Sequence, residues 1–246
     1  MNKVTFTPMD RNPELILELV PPPAKASSSM ASWFKDAPRF SDGSSSPVTS
    51  EGSHNLTVRH CMAFIDALSV GYTLNTWTDI YIKRENDEVL IGYEDIENVN
   101  RFGYGLVQYQ KQFQSYVPTL AGHDPFLYVW STYWRIKTPP GTSCLFVHPL
   151  NRTDLPFHTL SGITDTDKWS GSDVLNFALK EGFEGLIPKG TPFVQIIPFT
   201  REEWEHETIN ELDVEHETLR GRVTNLRHID GTLGYYRDHI WEKKVF

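Results

Sequence analysis

A chain of 246 residues, 39% hydrophobic and 13% aromatic, carries enough apolar side chain for one large domain or for a core with appendages. Its formal charge of −9, from 23 Lys and Arg against 32 Asp and Glu, leaves no basic footprint and argues against duplex nucleic acid as a partner. No run approaches the roughly 18 apolar residues that cross a bilayer, and the opening "MNKVTFTPMDRNPEL" lacks a signal peptide's apolar core. No membrane partner is therefore expected, and the cytoplasm is the expected location. Cys61 and Cys144 are too few and too far apart for a disulfide framework or a cysteine zinc site, so both are read as buried thiols.

In chain order, "KVTFTP" and "ELILELV" alternate and predict two short strands in a hairpin or at a sheet edge. Pro21, Pro22 and Pro23 favour an extended stretch. Ser28 or Ser29 then suits the cap of a short helix that carries Met30, Trp33 and Phe34. Residues 40–55, "FSDGSSSPVTSEGSHN", are small and polar and read as an exposed, mobile loop. Cys61, Phe64, Ile65 and Leu68 recur at helical spacing up to Gly71, which suits a helix stop. "NTWTDIYIKRE" and "EVLIGYE" predict a hairpin with Asn86 and Asp87 at its turn. "NRFGYGLVQYQKQFQSYVPTLAGHDP" has no firm period and reads mostly as loop.

"FLYVWSTYWRIKTP" predicts one long strand, and "SCLFVHP", "VLNFAL", "FEGLIP" and "PFVQIIPF" predict shorter ones. Many short strands at this spacing predict a mainly β fold, a sandwich or a clip-like core. After Thr200 the charged segment to Arg227 predicts a helix with Trp204, Ile209, Leu212 and Leu219 as its apolar stripe, and a second short helix follows from Tyr235 to Trp241. The expected organisation is an N-terminal part over 1–54, a β-rich core over 55–199 and a C-terminal helical appendage over 200–246.

The stretch "LSGITDTDKW" places Asp165 and Asp167 one residue apart. On an extended backbone both project to one face, where they can share a cation or a water, and mutual repulsion would raise the pKa of at least one toward the range of a general base. The same residues also suit a strand-end turn in which carboxylates accept backbone N–H bonds. In "FVHPLNRTDLPF", His148, Arg152 and Asp154 fall close together, a set able to hold an anion through Arg152 with His148 as proton carrier, or an Arg-Asp pair that braces a turn. Asp66 and Asp79 are carboxylates that would add to such a pocket or cap helices.

The block from Thr138 to Phe199 resembles the core of the dUTPase and dCTP-deaminase superfamily. The residues that carry the likeness are Pro139, Pro140 and Gly141; then Gly162, Ile163, Asp165 and Asp167; then Gly190 and Gln195. The resemblance implies a β-clip fold, a homo-oligomer with sites between subunits, Asp165 orienting a water toward a nucleotide phosphate, Gln195 in the site and magnesium on the phosphates. The chain departs from that pattern where the family has an Arg-Ser-Gly phosphate segment, here "HPLNRTD". It departs again at the glycine-rich tail, here an acidic segment, and both departures argue against ordinary dUTPase activity. Over its whole length the sequence also resembles an uncharacterised family of bacterial and marine tailed-phage proteins, through "PPPAKA", "WFKDAP", "VRHCMAFIDALSVGY" and "PKGTPFVQIIPF". For a phage-encoded chain that likeness implies host cytoplasm or the virion as its location.

Two function classes follow. One is a protein that binds or hydrolyses a small, nucleotide-like anionic ligand through Asp165 and Asp167, with His148, Arg152, Asp154 and Gln195 as binding residues. The other is a non-catalytic virion or accessory assembly protein. A weaker third, a non-haem iron oxygenase, rests on His228 and Asp230 with His239. The His-Glu pairs at His206 and His216 lack the spacing that puts two zinc ligands on one helical face. Tyr128, Trp130, Tyr133 and Trp134 read as core more than as a base-stacking platform.

Overall fold

The computed structural model describes residues 3–9, 12–44, 46, 49–51, 55–86, 88–109, 117–170, 175–225 and 236–244. In chain order the elements are β1 (Thr5–Pro8), α1 (Pro13–Leu19), β2 (Ala24–Lys25), α2 (Ser32–Asp36), α3 (Met62–Ser69), β3 (Tyr72–Asn75), β4 (Ile80–Glu85) and β5 (Glu88–Tyr93). Then come α4 (Ile96–Phe102), β6 (Val107–Tyr109), β7 (Tyr128–Trp130), β8 (Trp134–Lys137), β9 (Thr142–Val147), β10 (Phe157–Thr159) and β11 (Gly162–Thr164). The chain continues through β12 (Leu175–Leu179), β13 (Gly185–Ile187), β14 (Pro192–Thr200) and α5 (Val214–Asn225). The fold is mainly β, as the alternation predicts. Among the described residues no helix is long and apolar enough to cross a membrane.

The first compact unit comprises Met1–Ser29 and Val70–Arg201. Its largest sheet runs β11-β9-β14-β3-β2, a second runs β10-β12-β7-β6, and β13-β4-β5 and β1-β8 complete it; every pairing is antiparallel. The core is aromatic. The Trp130 ring stacks on Phe177 at 4.0 Å and on Phe193 at 4.8 Å and meets Phe157 edge-on, and its indole N–H donates to Thr159 Oγ1 at 3.1 Å. All of β12 is buried, so its side chains are covered on both faces. Tyr128, Trp130, Tyr133 and Trp134 are all buried in this core.

The second unit, Met30–Ser69 with Glu202–Phe246, packs a smaller cluster of Ala31, Phe34 and Leu68 with Phe64 and Ile65 against it. Its polar loop is organised by Asn55. That buried side chain accepts from Ser41 Oγ and the Asp42 N–H, and its amide donates toward Asp42 Oδ1, Ser44 Oγ and the Ser46 carbonyl.

Several elements differ from expectation. "ELILELV" is helical because Pro13 presets the first turn, and Leu15, Ile16 and Val20 then bury one helical face. α2 starts at Ser32 behind Ala31, while Ser28 and Ser29 sit in a preceding 3-10 turn. The expected long strand breaks at 131–133 into β7 and β8, which belong to different sheets. α4 runs into the start of the stretch expected as loop, and β6 lies within it: Asp95 accepts from the Asn98 N–H at the helix start, and Gly103, at φ 75°, ends it in the left-handed region. Cys61 is exposed, and only Cys144 is a buried thiol.

The helix expected from Thr200 onward is confined to α5. Residues 201–213 have no helix or strand, and Trp204, Ile209 and Leu212 are exposed on them. Within the second expected helix, residues Tyr236–Ile240 form one π-helical turn. Between β4 and β5, Asn86, at φ 50°, occupies the hairpin turn, while Asp87, His228, Asp230 and Tyr235 lie outside the described residues.

Candidate functional site

Antiparallel registry builds the acidic site. On one side of β9, Thr164 pairs with Cys144; on the other, Phe199 pairs with Ser143 and Thr200 with Thr142. The chain leaving β14 therefore arrives beside the start of β9, and the Arg201 N–H donates to the Gly141 carbonyl at 2.8 Å. From there the guanidinium reaches the chain just beyond β11.

Arg201 holds both acids. Its Nη1 lies 3.1 Å from Asp165 Oδ1 and 2.9 Å from Asp167 Oδ1, and its Nη2 lies 2.5 Å from Asp167 Oδ2. Nη1 also donates to Ser143 Oγ at 2.8 Å, and that hydroxyl donates to Asp165 Oδ1 at 2.7 Å. The Gly141 N–H donates to Asp167 Oδ2 at 2.8 Å. Between the two acids Thr166 turns inward, its hydroxyl meeting Thr138 Oγ1 at 2.7 Å and Cys144 Sγ at 3.3 Å. The alternation expected of an extended segment thus holds, although β11 ends at Thr164 and Asp167 lies in a turn.

The electrostatic expectation is reversed. The Ser143 hydroxyl and then the Arg201 charge hold the Asp165 carboxyl below the usual range. Hydrogen bonds from Arg201, and then from the Gly141 N–H, bring Asp167 down to about 2. The repulsion that would raise a pKa is cancelled because the shared cation is a side chain of the protein itself. A resident magnesium ion does not fit this pair, since the guanidinium stands where a divalent cation would bridge the carboxylates. Among the described residues no group of three or more His, Cys, Asp or Glu is placed to hold a metal.

The other sequence-derived residues part company. Gln195 is buried: its Oε1 accepts from the Leu150 N–H at 2.8 Å, and its Nε2 donates to the Val70 carbonyl at 2.7 Å. Arg152 makes a forked pair with Asp154, from Nε at 2.9 Å and Nη2 at 2.9 Å, and reaches the Ser29 carbonyl at 3.2 Å. His148 and Arg152 line a hollow of about 400 Å³ together with His123, His158 and Lys180. Neither Asp165, Asp167, Asp154 nor Gln195 lines it. Asp79 accepts from the Lys189 N–H, and Asp66 accepts from the Trp241 indole at 2.9 Å, so each has a structural partner of its own.

The hollow is built by the loop after β9 and by β10. His148 and His158 stack at 4.5 Å with their planes 25° apart, and His123 meets His158 edge-on at 6.0 Å. His148 is held through both nitrogens, Nε2 at 3.1 Å from the Arg152 carbonyl and Nδ1 at 3.3 Å from the Thr159 N–H. A carbonyl only accepts and an amide only donates, so the proton sits on Nε2. Burial, with His158 alongside, pushes the His148 imidazole down to about 4. Burial likewise lowers His158, whose ring nitrogens make no hydrogen bond among the described residues.

Sequence reasoning missed Arg201, His123, His158 and Lys180. Arg201 leaves one signal, a lone cation between the last strand and an acidic run. The rest leave none, because each meets the hollow from a different part of the chain.

Comparisons with family models and with curated proteins each find no match. Among solved structures, the chain is similar to a dUTPase from phage phi11 of S. aureus, at 11% identity and a TM-score of 0.26, over 45% of this chain and 99% of that one. A likeness at that score carries no argument about this chain.

Proposed function

We propose that the chain binds a small organic anion in the histidine-lined hollow without hydrolysing it, and that Asp165 and Asp167 serve with Arg201 as a structural clamp. The observation that carries this reading is the pair of stacked, neutral imidazoles of His148 and His158 beside Arg152 and Lys180 in one hollow. Uncharged ring faces suit a flat organic body. Lys180, whose Nζ also donates to the Thr153 carbonyl at 2.7 Å, and the guanidinium hydrogens of Arg152 not used by Asp154 suit its charge. A carboxylate tied to an arginine and held at about 2 is a poor general base near neutral pH.

The test is thermal stabilisation by inorganic phosphate, benzoate and nucleoside monophosphates. A ring-bearing anion raises Tm while phosphate alone does so less, and Lys180→Met and His158→Ala each remove the shift. Asp165→Asn leaves it in place. No shift with any of these anions, or one that survives both hollow variants, overturns the reading.

A second reading, an oligomeric virion or accessory assembly protein, is favoured by the exposure of Trp204, 87% accessible, and of Ile209 and Leu212 on residues 202–213. If the three lie together as one apolar patch, that patch would suit a contact with another subunit. Sedimentation of the full chain decides it: a closed oligomer that dissociates when all three become serine supports assembly, and a monomer at all concentrations excludes it.

A further inference from the structure

Most polar groups of the histidine hollow are already engaged by the protein. His148 is held at both ring nitrogens, Nε2 by the Arg152 carbonyl and Nδ1 by the Thr159 N–H. A proton added at Nδ1 would face another N–H, so the fold keeps this ring neutral. The Arg152 guanidinium is paired with Asp154, and the Lys180 ammonium donates to the Thr153 carbonyl. His123 Nδ1 lies 3.0 Å from the Ala121 carbonyl.

His158 differs. Its half-buried ring lies between the other two imidazoles, stacked on His148 at 4.5 Å and edge-on to His123 at 6.0 Å, yet neither of its nitrogens makes a hydrogen bond among the described residues. β12 pairs Ala178 with it and carries Lys180 two residues further on, and His123 bridges to Lys180 from the segment before β7. The titratable and charged groups around it are thus His123, His148, Lys180 and Arg152 with its partner Asp154. Burial, and then His123, hold the His158 imidazole below its usual range. An anion beside the ring acts the other way, because an opposite charge favours the protonated form.

We propose, on the basis of the anion-binding reading above, that His158 is the proton acceptor of the hollow: an anion enters together with one proton from solvent, His158 takes up that proton, and binding therefore tightens as pH falls. The protonated ring becomes a cationic N–H donor toward the anion. His148, locked neutral, keeps an uncharged face for the ligand's flat body.

The test is calorimetric titration of the full chain with benzenesulfonate, a ring-bearing anion whose charge is constant over the range used. Its Kd should fall about fivefold or more from about pH 7.5 to about 5.5, with a buffer-dependent heat that reports proton uptake. His158→Phe, which keeps a flat ring but accepts no proton, should bind with a Kd that no longer changes with pH, whereas His123→Gln should keep the dependence. In the wild type, the His158 ring-carbon titration should move to higher pH when benzenesulfonate is added. A pH-independent Kd, an unmoved His158 midpoint, or a dependence that survives His158→Phe or vanishes in His123→Gln overturns this inference while leaving anion binding intact. Absence of benzenesulfonate binding at every pH overturns this inference and the reading it rests on together.

Discussion

The Arg201 guanidinium meets both carboxylate oxygens of Asp167, at 2.9 and 2.5 Å, across 34 residues of sequence. The same guanidinium touches Asp165, so one cation bridges two acids at the point where the chain leaves β14. The two acids are not equivalent, because the Asp167 side chain is 6% accessible and that of Asp165 is 51%.

Asp167→Asn is therefore expected to lower Tm clearly more than Asp165→Asn, since an exposed ion pair contributes little. The wild type should also lose stability in acid. An unfolded aspartate titrates near 3.9 and the folded Asp167 near 2, so its contribution is complete above about pH 4 and fades as pH falls toward 2. Melting curves across that range should flatten in Arg201→Ala. An unchanged acid profile in that variant would refute the clamp.

His148 should respond in a different window. The unfolded imidazole takes its proton near 6.5, whereas the folded one waits until about 4. Between those values the unfolded chain binds the extra proton, so stability declines as pH drops from about 6.5 to 4. Ring carbon shifts measured through a titration should keep His148 neutral until near pH 4; a midpoint near 6.5 contradicts the burial argument.

Two glycines at positive φ should behave unequally. At Gly71, φ 72°, an added Cβ would fall onto the Ile196 carbonyl oxygen, so Gly71→Ala is expected to cost about 3 kcal/mol or more. Gly141, φ 81°, has open space around it, and Gly141→Ala should cost only the conformational strain, about 1–2 kcal/mol. Urea denaturation of both variants measures the difference, and equal losses would contradict it.

Asn55→Ala removes the hub of the polar loop in the second unit, where both ends of the amide are engaged. A loss of about 2 kcal/mol is expected, because buried partners are left unsatisfied. Hydrogen exchange at the Asp42 and Ser44 amides should quicken, while amides of β9 and β14 keep their protection.

Local pattern accounts for what was legible. The hairpin of β4 and β5, the strands β9, β12 and β14, and the helix ending near Gly71 all announce themselves, because alternation and glycine turns act within a few residues. "ELILELV" fits both periods, since Leu15, Leu17 and Leu19 alternate while Leu15, Ile16, Leu19 and Val20 share one helical face, and Pro13 decides between them. Of the site, Asp165 and Asp167 sharing one face was visible from spacing alone.

The amino-acid sequence by itself determined a mainly β chain with two acids projecting together. The tertiary structure alone decided what they face. Pairing β14 against β9 in its observed register delivers Arg201 to the acids and turns an expected base into an ion-paired clamp. Packing β10 against the loop after β9 brings His158 onto His148. Both outcomes depend on partners far apart in sequence, and only the closing of the sheets, driven by burial of the aromatic core around Trp130, brings them within hydrogen-bonding or stacking distance.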